Sequence, residues 1–190
     1  MAVLAYHVIF GAYGFWLPND PRGSWSVIVA SWELSRFGKA TKTEARRSVA
    51  KVAHDRRLRE EAKRALKYPA VRFSGRQALA VAHGFARART EGGYRVHACS
   101  ILPEHVHLVI GRSDRAAERV VGHLKARATV CLKTESLWPE DGRPVWARKG
   151  WKVFLDRLED VRRAVAYVEA NPEREGKRRQ RWSFVEPYDG

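Results

Sequence analysis

Cysteine is almost missing from this chain of 190 residues. Cys99 and Cys131 are the only two, and neither belongs to a CxxC or Cys/His cluster. That scarcity argues against a disulfide framework and against structural zinc. No stretch approaches the roughly 20 apolar residues that a membrane-spanning helix needs. The opening Met-Ala-Val-Leu-Ala-Tyr-His has no basic stretch ahead of a long apolar one, so no secretory leader is expected. Acidic residues are also in short supply: 21 Asp and Glu stand against 36 Lys and Arg, for a formal net charge of +15. An excess of that size repels itself in a folded domain, and a polyanionic partner accounts for it best. The expectation is a single cytoplasmic domain over 1–190, not a membrane protein, with no obligate small-molecule substrate.

Within this basic chain the segment Ser100-Ile-Leu-Pro-Glu-His-Val-His-Leu-Val-Ile110 stands out. It is apolar and reads as a strand, so alternation places His105 and His107 on one face and Val106 on the other. Two neutral imidazoles side by side suit a divalent metal. They equally suit a pair of half-exposed strand histidines with no ligand, so a third ligand and a reacting group are required to decide. His7, His83, His97 and His123 lack such pairing and read as ordinary core or surface residues.

The other elements follow from periodicity. Val3 to Ala12 is a fairly buried strand, and Tyr13 to Trp25 a turn-rich loop. Thr43 to Lys67 is a very basic helical stretch with few large apolar residues. Gly75 to Glu91 is an amphipathic helix stopped by Gly92-Gly93. Tyr94 to Ile101 and His105 to Ile110 form an antiparallel hairpin. A helix runs from about Ser113 to Lys133, and a bent strand from Arg143 to Phe154, broken at Gly150. The last helix begins near Asp156, with Asp156 and Glu159 as a capping box, and ends at Asn171 ahead of Pro172. Strand, helix, hairpin, helix, strand, helix is a ferredoxin-like α+β plan: an antiparallel sheet with helices on one face. A basic helical insertion occupies about 20–73 and a basic tail about 173–190.

On the last helix Leu158, Val161, Val165 and Val168 make the apolar stripe. Tyr167 and Asn171 lie one turn apart at its flank, where neither needs to be buried. A flank that leans over the sheet would bring both to the histidine pair. Two imidazoles and an amide oxygen can hold one divalent cation and leave positions open for a phosphate oxygen. A phenol with a reference pKa near 10 becomes a competent nucleophile beside a cation.

These residues resemble the HUH single-tyrosine transposases, and most closely the REP-associated tyrosine transposases. The matching stretches are Tyr13-Gly-Phe-Trp-Leu-Pro-Asn-Asp20, Leu102-Pro-Glu-His-Val-His-Leu108, Leu124-Lys125, Val145-Trp-Ala-Arg148 and Tyr167-Val-Glu-Ala-Asn-Pro172. They span most of the chain in the family's order. The resemblance implies a ferredoxin-like fold, His105, His107 and Asn171 as ligands of Mg²⁺ or Mn²⁺, and Tyr167 as nucleophile. It also implies single-stranded DNA that folds into hairpins as substrate, cut to leave a 5′-phosphotyrosine and a free 3′-OH. Many relatives carry Gln where this chain has the shorter Asn171. The long insertion departs from a compact relative and inherits no function from the resemblance.

For DNA contact the candidates are Lys125, Arg148, Lys149 and Lys152, with Arg178, Arg179, Arg181 and Trp182 in the tail. Trp16, Trp25, Trp146 and Trp151 are further candidates for base stacking, core packing being the alternative. Two other readings stay open on sequence alone: a non-catalytic hairpin-binding protein, and a hydrolytic nuclease using the His pair. A monomer and a homodimer are both compatible.

Overall fold

The computed structural model describes residues 2–17, 34, 36–38 and 55–190, the side chain of Lys149 excepted. Much of the expected insertion, together with Trp25, lies outside the described residues. The elements are β1 (Ala5–Ala12), α1 (Arg56–Arg64), α2 (Gly75–Gly92), β2 (Val96–Ile101), β3 (His105–Gly111), α3 (Ala117–Thr134), β4 (Trp146–Leu155) and α4 (Leu158–Arg174). Among the described residues the strands form one antiparallel sheet in the order β2-β3-β1-β4. The α+β plan read from the sequence holds. No described helix is long and apolar enough to cross a membrane.

Alternation along the strands divides the sheet into two unlike faces. Val8, Phe10, Val106, Leu108, Ile110 and Ile101 turn one way and are packed by α2 and α3 into the main core. The two helices approach closely at Gly84, where a Cβ would stand 2.4 Å from Ala128 Cα. On the other face Ala5, Ala98, Val109 and Leu155 receive Val161, Ala164 and Val168 of α4. The helices therefore cover both faces, which corrects the expectation that they share one. The physical reason is that both faces carry apolar residues needing cover. Val161 and Val168 are fully buried, each worth roughly 1.5–3 kcal/mol.

The second face is apolar only over half its length. Beyond Val109 the same rows continue as His107 and His105 on β3, His7 on β1 and Ser100 on β2, facing the C-terminal half of α4. Packing of the apolar half thus sets the helix over the polar half.

Helix α4 differs from its expected bounds at both ends. Its N-cap is Arg157, with no side-chain cap bond, so the Asp156–Glu159 capping box does not form. Pro172 lies inside the helix, and Arg174 is its last residue. Gly176, with φ +67°, stops it instead. Gly176 N donates to Glu173 O at 3.0 Å and Lys177 N to Pro172 O at 2.8 Å, the paired bonds of a left-handed helix end. The three residues gained, and the cap that follows, carry the chain one further turn past Asn171.

β4 runs through Gly150 without a break, with a register shift between Phe10 and Ala12 on its partner β1. The chain after Gly176 lies along the outer edge of β2. Gln180 bonds both ends of Ile101's peptide groups at 2.8 Å, and Glu186 N donates to Val96 O at 2.9 Å. Helix α1 belongs to a smaller cluster of Leu17, Leu34, Phe37 and Ala62.

Candidate active site

The tight turn Leu102-Pro-Glu delivers His105 to the first position of β3, closed by Leu102 N donating to His105 O at 2.8 Å. Gly11 is its partner on β1. A Cβ there would fall 2.7 Å from Phe15 Cβ. Glycine leaves that space to Phe15, whose ring stacks on the His105 imidazole at 4.6 Å and 22° and fixes its plane.

His107 sits two residues on, between Ile9 of β1 and Ser100 of β2. It is 5 % exposed. Its ring centroid is 4.9 Å from that of His105, so the pair does share a face. Burial pushes His107 well below the usual imidazole pKa, and the charges of His105 and His7 push in the same direction. At neutral pH its ring is uncharged and keeps a lone pair for a ligand.

Helix α4 brings Tyr167, Asn171 and Glu175 to this corner on successive turns. The Tyr167 ring lies 5.8 Å from the His107 ring. Glu175 Oε1 lies 3.7 Å from His105 Nε2. Asn171 stands between them on the same stripe, 7 % exposed, and its Nδ2 is buried with no hydrogen-bond partner. Ser100 Oγ, opposite His107, is likewise buried and unpartnered. Tyr167 itself is 40 % exposed, with the Arg174 guanidinium 4.8 Å from its ring centroid. Within one chain Tyr167 thus reaches the histidine pair, and Asn171 lies one turn beyond it on the same helix stripe.

Sequence reasoning missed a fifth. His7 on β1, read as an ordinary histidine, places Nε2 3.2 Å from His107 Nδ1. Its ring lies 5.8 Å from that of Tyr167. Burial lowers its pKa to about 4. The available signal was parity: in an apolar β1, His7 sits at an even spacing from Ile9 and Gly11, the residues opposite the His pair. Without strand pairing that parity has no direction. The other described histidines are elsewhere: His97 faces the tail at Glu186 and Pro187, and His123 and His83 face Glu91 and Glu135.

A metal fits the donor set. Among the described residues no three His, Cys, Asp or Glu side chains form a ready metal cage. The corner offers two imidazoles and the Asn171 carboxamide, whose Nδ2 is buried without a partner, with the Glu175 carboxylate beside them. Neutral nitrogen and oxygen donors of this kind suit a divalent cation.

The basic candidates divide into two groups. Lys125, Arg148 and Lys152 converge on a groove of about 320 Å³ between α3 and β4. Lys125 is largely committed there: Nζ donates to Ala147 O at 2.8 Å and lies 5.0 Å from the Phe10 ring, and burial lowers its pKa to about 8. Lys152 pairs with Glu118, while Arg148 is exposed. The side chain of Lys149 lies outside the described residues. Trp151 lines the same groove and stands 6.0 Å from His7, edge to face. The second group, Arg179, Arg181 and Trp182, lines a cavity of about 560 Å³ between β2, α4 and the tail, with Arg162 and Tyr188. Arg179 pairs with Glu169, and Arg178 and Arg181 are exposed. Trp182 packs beside Phe184 with ring centroids 6.4 Å apart, which takes up part of its stacking face. Trp146 belongs to the core against Phe10, and Trp16 lies against Phe15.

No family model and no curated protein matches this sequence. Among solved structures it is similar to a REP-associated tyrosine transposase bound to a REP hairpin, with a TM-score of 0.52 and 12 % identity, over 93 % of this chain and 70 % of that one. A candidate transposase from Deinococcus radiodurans R1 aligns over 95 % of both chains at 12 % identity, with a TM-score of 0.42. The fold of this chain is accordingly that of the REP-associated tyrosine transposase structure.

Proposed function

We propose that the protein is a metal-dependent strand transferase for single-stranded, hairpin-forming DNA, with Tyr167 as nucleophile. The observation that carries this reading is the position of a half-exposed phenol, on the same helix stripe as a buried carboxamide, beside the His105–His107 pair. A purely structural tyrosine has no need of such neighbours, and solvent access leaves room for a phosphodiester.

In the reaction, Tyr167 Oη forms a bond to phosphorus while the bond from phosphorus to the 3′ oxygen breaks. The phenolic proton passes to solvent water, and the departing 3′ oxygen takes one up to become a free 3′-OH. One phosphodiester is exchanged for another, so a 3′-OH can later attack the phosphotyrosine and rejoin the strand without an outside energy source. His105, His107 and Asn171 are the residues that would hold Mg²⁺ or Mn²⁺, which when bound offsets charge on the phosphate oxygens and favours the phenolate. Phe15 and the strand backbone keep the imidazoles in place, and packing of Val161 and Val168 keeps Tyr167 over them.

The REP hairpin bound to the structure of similar fold supports hairpin DNA as the ligand class. The net charge of +15 and the two basic surfaces support it independently. We assign the groove holding Arg148 and Lys152, on the α3 side of the edge strand β4, to DNA that passes Trp151 on its way from the site, and the Arg181 cavity to a second stretch of DNA. One chain supplies every residue of the site, so a monomer suffices.

The test is to incubate a pool of labelled hairpin oligonucleotides with randomised flanks and Mn²⁺, then run a denaturing gel. A protein–DNA adduct that disappears in Tyr167→Phe, with binding retained, is the expected result. Cleaved product with no adduct would make the protein a hydrolytic nuclease. Binding with neither would make it a hairpin-binding protein without catalysis.

A further inference from the structure

We propose that His7 is a positioning residue: it accepts a hydrogen bond from His107 Nδ1–H and thereby keeps the lone pair of His107 on Nε2, ready for the cation. This inference rests on the reading of His107 as a metal ligand given above.

The geometry leaves few alternatives. His7 Nε2 and His107 Nδ1 stand 3.2 Å apart, with the ring planes inclined by 25° and centroids 5.5 Å apart. Two ring nitrogens at that distance need one proton between them, because two would repel and none would leave lone pairs facing each other. The strands hold the rings there: His107 is opposite Ile9 and His7 opposite Val109, so the two side chains share a face as diagonal neighbours.

One shared proton permits two arrangements. With the proton on His107 Nδ1, its Nε2 carries a lone pair. With the proton on His7 Nε2, His107 must carry its own at Nε2 and cannot bind a cation through that atom. Only the first arrangement is compatible with a loaded site, and in it His7 Nε2 is occupied as acceptor and is not itself a ligand. A histidine ligand held through its other nitrogen is a general device for fixing ring orientation, and losing the partner weakens metal binding by about 10–100-fold.

The test measures metal binding without DNA. Mn²⁺ is titrated into the full chain and free ion is counted by electron paramagnetic resonance. We expect His7→Phe to weaken binding 10–100-fold. His7→Gln, whose amide oxygen accepts the same N–H, should restore most of the affinity. Circular dichroism melts show that each variant is folded. In the Mg²⁺-loaded wild type, ¹⁵N shifts of the rings should show His107 as the Nδ1–H form. Three results would overturn the inference: wild-type affinity in folded His7→Phe, His107 in the Nε2–H form, or a metal-induced ¹⁵N shift on His7 as large as that on His105. If wild type binds no Mn²⁺, the metal-dependent reading fails along with it. If Mn²⁺ binds and depends on His7 but Tyr167 forms no DNA adduct, only the strand-transfer reading fails.

Discussion

Glu175 reaches back to His105 across the end of α4, its Oε1 3.7 Å from the imidazole Nε2. The contact exists because the helix continues through Pro172 and closes at Gly176. A helix ending at Asn171 would have sent Glu175 elsewhere. One carboxylate is thereby added beside the donors recognised from the sequence. The pair is partly exposed, so its own contribution to stability is under about 1 kcal/mol. Glu175→Gln should leave the melting temperature nearly unchanged yet weaken Mn²⁺ binding about tenfold, equivalent to roughly 1.4 kcal/mol. Unchanged Mn²⁺ affinity, measured by calorimetry, would remove Glu175 from the site.

Asn171 separates function from folding more sharply. Its Nδ2 is buried without a partner, so replacement by an apolar residue of similar size should cost little, within about 1 kcal/mol. If its oxygen serves the cation, Asn171→Leu should slow adduct formation about 100-fold or more, at least the loss expected for a supporting residue. Adduct formation at the wild-type rate would show that the carboxamide is not needed.

Acid should loosen this end of the fold. His7 has its pKa lowered from 6.5 to about 4, and His107 is held well below the usual imidazole value, chiefly by burial. Between pH 6.5 and 4 the unfolded chain therefore binds more protons than the folded one, and stability falls as pH drops through that window. Denaturant melts across it should show the decline in wild type and a shallower one in His7→Gln. Parallel curves for the two proteins would contradict the assigned burial of His7.

Salt tests the basic surfaces. Each phosphate contact on a single strand contributes about 0.7 to the slope of log affinity against log salt. Arg148→Ala and Arg181→Ala should each reduce the slope by about that amount. Lys125→Met should leave it unchanged, because the Lys125 ammonium already donates to Ala147 O. A reduced slope in Lys125→Met, read by fluorescence anisotropy, would return that lysine to the DNA track.

The legible part of this fold was periodic. Alternation located the His105–His107 face, the 3.6-residue stripe located Val161 and Val168, and their combination placed Tyr167 and Asn171 over the sheet. What escaped depends on pairings between distant segments. Leu158 was counted in the apolar stripe but is 40 % exposed, because the sheet ends before it. Pro172 read as a stop, yet one missing N–H near a helix end costs little when Gly176 closes the last carbonyls. His7 was invisible until β1 was seen to lie against β3. The spread of helices over both faces could not be read from element order, which does not say on which face a helix after the last strand packs; Ala98, Val109 and Leu155 decide it.

Gln180 has a consequence beyond the corner it occupies. By satisfying Ile101, and with Glu186 on Val96, the tail seals one border of the sheet. Among the described residues β4 is then the only strand with an open side. Neighbouring copies joined through that border would make a closed pair, with nothing left at either end to recruit a third. The Gln180 carboxamide, bonding Ile101 as a neighbouring strand would, is one of two contacts that leave this border less open to another strand.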